Sequence, residues 1–123
     1  MRFVMVCLML LAGHVSAHEW TPTYPKLSVS HEPTIYQVTM KLFNKREDIS
    51  YYTFEVLDDE FKPLKFATPR RVVFLPYLEK KQIKIFVQAA DKYKVRYICS
   101  RTKLIKEGST ASLVSSKICS KIK

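Results

Sequence analysis

Two cysteines carry the plainest chemistry in this chain, because Cys99 and Cys119 form an even pair of thiols that an oxidising compartment joins into one bridge. A third, Cys7, lies in an apolar stretch at the start of the chain and leaves if that stretch is removed. His18 and His31 are the two histidines of residues 18–123. With His18 at a free amino terminus, its amine and ring could chelate copper, with His31 as a further nitrogen ligand. Zinc held by the cysteines is disfavoured where thiols oxidise. No catalytic set is comparable. Asp58, Asp59 and Glu60 sit in a turn, without the apolar pocket that would drive an acid and a base apart in pKa. Gly108 is the single glycine beyond the leader, so no phosphate-cradling loop exists, and no serine or cysteine lies in a nucleophile motif. The chain reads as a non-enzyme without a cofactor.

The compartment follows from the first residues. Arg2, the apolar stretch from Phe3 to Ala12 and the small residues Val15-Ser16-Ala17 form an export signal over residues 1–17, with the mature chain starting at His18. The apolar stretch is shorter than the ~20 residues a spanning helix needs, and no second run of that length follows, so the product is expected to be periplasmic or secreted and not membrane-spanning. Residues 18–123 suit one domain with one core. The leader holds one of the 21 basic residues and none of the 11 acidic ones, which leaves a mature charge of +9. Residues 92–123 hold nine Lys or Arg against Glu107 alone, whereas residues 18–91 nearly balance. Such a basic segment attracts anionic lipid, polyanionic glycan or a carboxylate-bearing partner, and export argues against nucleic acid. It is also what a merely solubilising face looks like.

The elements that must position these residues are strands. Lys26 to Ser30 reads as a short edge strand after Pro22 and Pro25. From Thr34 the alternation of Tyr36, Val38, Met40 and Leu42 predicts a half-buried strand, and Tyr52, Phe54 and Val56 repeat it within Ser50 to Leu57. Residues 44–48 read as a polar turn between them. Phe61 to Ala67 predicts a short strand interrupted by Pro63; Val72 to Leu75 is apolar throughout. Gln82 to Gln88 sets Ile83, Ile85 and Val87 on one face. Tyr93 to Arg101 predicts a further strand and Ala111 to Ile122 a weaker last one. About seven short strands without a helical window indicate an all-β sandwich or small barrel. If residues 106–110 form the final turn, Cys99 falls opposite Cys119. Trp20, ahead of the first of these strands, is expected to tuck over one end of the domain.

These segments resemble the amino-terminal domain of the PapD-like periplasmic pilus chaperones. The matching stretches are Val38 to Phe43 running into Asn44, the aromatic strand Ser50 to Val56, the run Ala67 to Pro76, and Lys81 to Val87. The resemblance implies an immunoglobulin-like sandwich that binds a pilin-like subunit by strand addition and by anchoring its terminal carboxylate on two basic residues. By position the anchors would be Lys117 or Lys121 in the last strand and Lys26 in the first, where the family usually has arginine with its bidentate fork. The lent strand would present Val114, Ile118 and Ile122, residues that an ordinary terminal strand would bury in its own core. Two departures stand out: the family has a second domain after the last strand, and serines alternate with these three apolar residues.

The expected function is protein binding by a single-domain, chaperone-like factor in assembly of a pilus or other surface structure. The alternatives are a structural or adhesive component of such an assembly, holding a neighbouring surface protein, and a periplasmic copper protein using His18. An open sheet edge would also allow self-association.

Overall fold

The computed structural model describes residues 18–103 and 115–123. The expected leader, the turn expected over 106–110, the first part of the last expected strand and Val114 lie outside them. In chain order the strands are β1 (Glu19–Thr21), β2 (Ser28–Val29), β3 (Ile35–Phe43), β4 (Tyr51–Leu57), β5 (Val72–Phe74), β6 (Lys80–Gln88), β7 (Tyr97–Thr102) and β8 (Lys117–Lys121). They form two antiparallel sheets packed as an immunoglobulin-like sandwich. In one sheet β3 lies between β6 and the pair β1 and β2, which share its other side; the second has the order β5-β4-β7-β8.

Period-two alternation decides what fills the space between the sheets. β3 buries Val38, Met40 and Leu42, β6 buries Ile83, Ile85 and Val87, and β4 buries Tyr52, Phe54 and Val56. The register across β3 and β6 is continuous from Ile35↔Gln88 to Phe43↔Lys80, so the two apolar rows stay aligned. Trp20 goes further than tucking over an end. As the middle residue of β1 it enters the core at 4% exposure, stacks on Phe54 with ring centroids 5.4 Å apart, and donates its indole N–H to the Ile98 carbonyl at 2.9 Å.

Several expected strands are shorter than their sequence pattern: Lys26 to Ser30 pairs only over Ser28–Val29, and the last strand begins at Lys117. The segment from Phe61 to Ala67 makes only isolated bridges, Leu57↔Pro63 and Ala67↔Phe86, because Pro63 has no N–H to continue a ladder. The strand expected from Tyr93 starts at Tyr97. Ala89–Asp91 forms a 3-10 turn, and the Asp91 carbonyl then accepts from the N–H groups of Lys94 and Val95, which holds Tyr93 out in solvent. Residues 58–62 are the tight turn the acidic run suggested: Asp58 Oδ1 accepts from the N–H groups of Glu60 and Lys62, and Phe61 takes φ 62° to close it.

Asn44 is a buried polar side chain that ties the turn after β3 to β4 and to the end of β5. Its Nδ2 donates to the carbonyls of Ile49 at 2.7 Å and Leu75 at 2.8 Å, while Oδ1 accepts from the Arg46 N–H at 2.8 Å and the Tyr52 hydroxyl at 2.6 Å. Its backbone N–H and carbonyl also bond Glu79 and Leu78. The residue expected in a polar turn is therefore fully buried, with its side-chain donors and acceptor engaged.

The disulfide forms between Cys99 and Cys119, directly opposed in the β7–β8 register, with Cα atoms 4.0 Å apart. The flanking bonds Thr102 N–H to Ser116 and Ile122 N–H to Arg96 make this a non-hydrogen-bonded pair, the closer of the two kinds of antiparallel neighbour.

Two outcomes are expected from this architecture. Asn44→Ala leaves two buried carbonyls and a buried hydroxyl without their partner, and urea denaturation should show a loss of about 3 kcal/mol, against about 1 for Tyr52→Phe. Replacing both Cys99 and Cys119 by alanine should lower stability by about 3 kcal/mol, as expected for releasing a loop of this length.

Candidate functional site

The side of the sandwich that carries the sequence-selected residues is built by residues 18–25 running parallel to 116–123. The His18 ring meets the Ser116 hydroxyl at one end, and farther along the Lys121 N–H donates to Thr23 at 3.1 Å and the Lys123 N–H to Pro25 at 3.2 Å. The same amino-terminal segment pairs with β3 through Glu19↔Phe43, Trp20↔Leu42 and Thr21↔Lys41. It therefore bonds to one sheet with residues 19–21 and to the other with residues 23–25, and so closes this edge.

His18 is the buried titratable group of the closure. Nε2 lies 2.7 Å from the Ser100 hydroxyl and Nδ1 3.3 Å from that of Ser116, and the ring stands edge-on to Tyr52 with centroids 4.9 Å apart. Burial first, and then the Arg46 guanidinium, lowers its pKa to about 4, with a hydrogen bond to the Ser100 backbone opposing. Burial likewise raises the Tyr52 hydroxyl to about 12, so it stays a donor to Asn44. Both His18 ring nitrogens are thus engaged by serines, His31 is exposed, and among the described residues no group of three His, Cys, Asp or Glu could hold a metal ion.

The other sequence-selected residues divide. Ile118 and Ile122 face inward, partly buried and packed against the core, so their apolar side chains serve this domain. Lys117 is drawn across the outward face to Glu55, 2.8 Å from its carboxylate, which also meets Arg101 at 3.3 Å. Lys26 and Lys121 are both exposed, and the bonds of Lys121 to Thr23 and Lys123 to Pro25 bring them to the same end of the domain. Among the described residues neither makes an ion pair. The backbone thus brings Lys26, Lys121 and Lys123 to this end, with Arg96 carried there by its carbonyl's bond to Ile122.

A second feature was not selected from sequence. Among the described residues β5 pairs on one side only, with β4, and presents Val72 and Phe74 at 39% and 58% exposure, with the Tyr51 ring 5.2 Å from that of Phe74. The run Val72-Val73-Phe74-Leu75 is apolar on both faces, and only the pairing of Val73 with Tyr52 decides which face turns in. Phe61, stacked on Tyr97 at 4.7 Å, lies on the same outward face. No helix among the described residues is long and apolar enough to cross a membrane.

No model of a known protein family matches the chain, and no curated protein is significantly similar to it.

The environment of His18 sets a pH dependence. Between pH 6.5 and 4 the unfolded chain binds a proton that the folded chain excludes, so the stability from this group is complete above 6.5 and declines as pH falls toward 4. A loss on the order of 3 kcal/mol is expected over that window. Subtracting the denaturation curves of His18→Gln from those of the unmodified protein isolates it from the carboxylates; parallel curves would show that His18 titrates alike in both states.

Proposed function

We propose that this protein is a non-enzymatic, exported binding domain, a chaperone-like factor in assembly of a pilus or other surface structure that captures the terminal carboxylate of a protein subunit. The observation that carries this reading is the convergence of Lys26 and Lys121, distant in sequence, at one exposed basic end without acidic partners among the described residues. Two ammonium groups at one end offer charge-assisted hydrogen bonds to a carboxylate, each stronger than a neutral pair. Strand addition along β8 at this end receives no support, since the N–H groups of Lys121 and Lys123 already bond to Thr23 and Pro25. The disulfide suits an oxidising compartment.

A second reading rests on a separate observation. The unpaired side of β5, with Val72 and Phe74 exposed, suits a structural or adhesive component that joins a neighbour edge to edge.

Co-purification from the exporting host separates the two. For carboxylate capture, Lys26→Ala with Lys121→Ala should reduce partner recovery about tenfold or more, and a peptide copying the partner's carboxy terminus should lose a similar factor when amidated. Val72→Lys with Phe74→Lys should leave both unchanged. Loss with the second pair alone would move the assignment to the structural component, and indifference to amidation would end the carboxylate reading.

A further inference from the structure

Among the described residues, the edge opposite residues 18–25 is closed around Ala67 and Thr68. Ala67 exchanges two backbone hydrogen bonds with Phe86, at 2.9 and 2.8 Å, and the Thr68 hydroxyl donates to the Lys84 carbonyl at 2.9 Å. Beside this bridge lies a cavity of about 260 Å³ whose apolar lining is Ile35, Phe66, Phe86 and Val87 and whose charged lining is Lys65 and Arg71. No Asp or Glu lines it, and neither cation makes an ion pair among the described residues. The Arg71 guanidinium lies 5.9 Å from the Phe66 ring centroid, so the strongest anion donor of the site adjoins its apolar lining. On the other side of the Ala67 bridge a cavity of only about 90 Å³ has Arg70, Lys81 and Lys84 in its lining.

We propose that the larger cavity binds a single-chain alkyl carboxylate. Its apolar tail would lie against Ile35, Phe66, Phe86 and Val87, where removal from water is favourable at roughly 25 cal/mol per Å². Its carboxylate would be met by the fork of Arg71 and the ammonium of Lys65. An apolar hollow with a few convergent polar groups is the general form of a small-molecule site, and the volume suits a short chain. A polar anion without a tail would leave the aromatic lining wet, and a neutral alcohol would leave both cations unpaired. This site involves none of Lys26, Lys121 or Lys123, so it stands or falls independently of the carboxylate capture proposed above.

Titration of the isotopically labelled protein with octanoate, octanol and inorganic phosphate at constant ionic strength tests the assignment. Octanoate is expected to give saturable shifts centred on the amides of Ala67, Arg71, Phe86 and Gln88, with octanol and phosphate each at least about tenfold weaker. Arg71→Gln should weaken octanoate about fivefold or more and leave octanol unchanged, whereas Lys84→Ala, in the smaller cavity, should leave octanoate binding as it was. Equal binding of octanoate and octanol, equal binding of octanoate and phosphate, shifts centred elsewhere, or no saturable response up to millimolar octanoate would each overturn the proposal.

Discussion

Asn44 holds this sandwich at the point where its chain reverses twice. The β3–β6 ladder ends at Phe43↔Lys80 in one sheet and the β4–β5 ladder at Tyr51↔Phe74 in the other, and residues 44–50 and 75–79, which cross from sheet to sheet, must be held together there. A single amide does so by donating to Ile49 and Leu75 and accepting from Arg46 and Tyr52. Buried hydrogen bonds of this kind contribute little net stability each, yet leaving any of them unmade is expensive, so the network selects one arrangement of the two turns. Leu78 shows the constraint in its backbone: a bulky residue with φ 64° is held there while its N–H bonds the Asn44 carbonyl at 2.7 Å.

The two long edges of the sandwich are closed in different ways, and the difference shapes where ligands can approach. Residues 18–25 bond to both sheets in turn and add Trp20 and His18 to the interior, so that edge is covered along much of its length. Among the described residues the opposite edge is joined around Ala67 and Thr68, with a hollow on each side of that bridge. Cations that make no ion pair among the described residues line both hollows, while Glu55 on the outward face is shared by Arg101 and Lys117. The disulfide stands beside that cluster and ties β8 to β7 from the outside, leaving the inward side of β8 to Ile118, Ser120 and Ile122.

The strands that were legible in sequence are those whose alternation runs for several residues. Val38-Met40-Leu42, Tyr52-Phe54-Val56 and Ile83-Ile85-Val87 each state their inward face without reference to any other segment, since side chains on a strand turn to opposite faces in succession. Cys99 and Cys119 were legible for a related reason: pairing across one hairpin depends on counting from a local turn. Where the pattern was short or two-sided it gave no face. Trp20 stands between Glu19 and Thr21 in a strand of three residues, and Val72 to Leu75 is apolar on both sides. Tyr93 shares the spacing of a strand, yet the turn bonds from Asp91 hold it outside one.

Composition and period therefore determined the all-β class, the long strands and the bridge, because each of these follows from nearest neighbours along the chain. The tertiary structure alone decided that Ile118 and Ile122 pack against the core, that Lys117 faces Glu55, and that the backbone segments carrying Lys26 and Lys121 lie at one end. It also decided that Asn44 is buried and that Lys65 and Arg71 share an apolar hollow. These are contacts between segments far apart in the chain, and a side chain's partner across a sheet or between sheets depends on register and packing that no local pattern of residues contains.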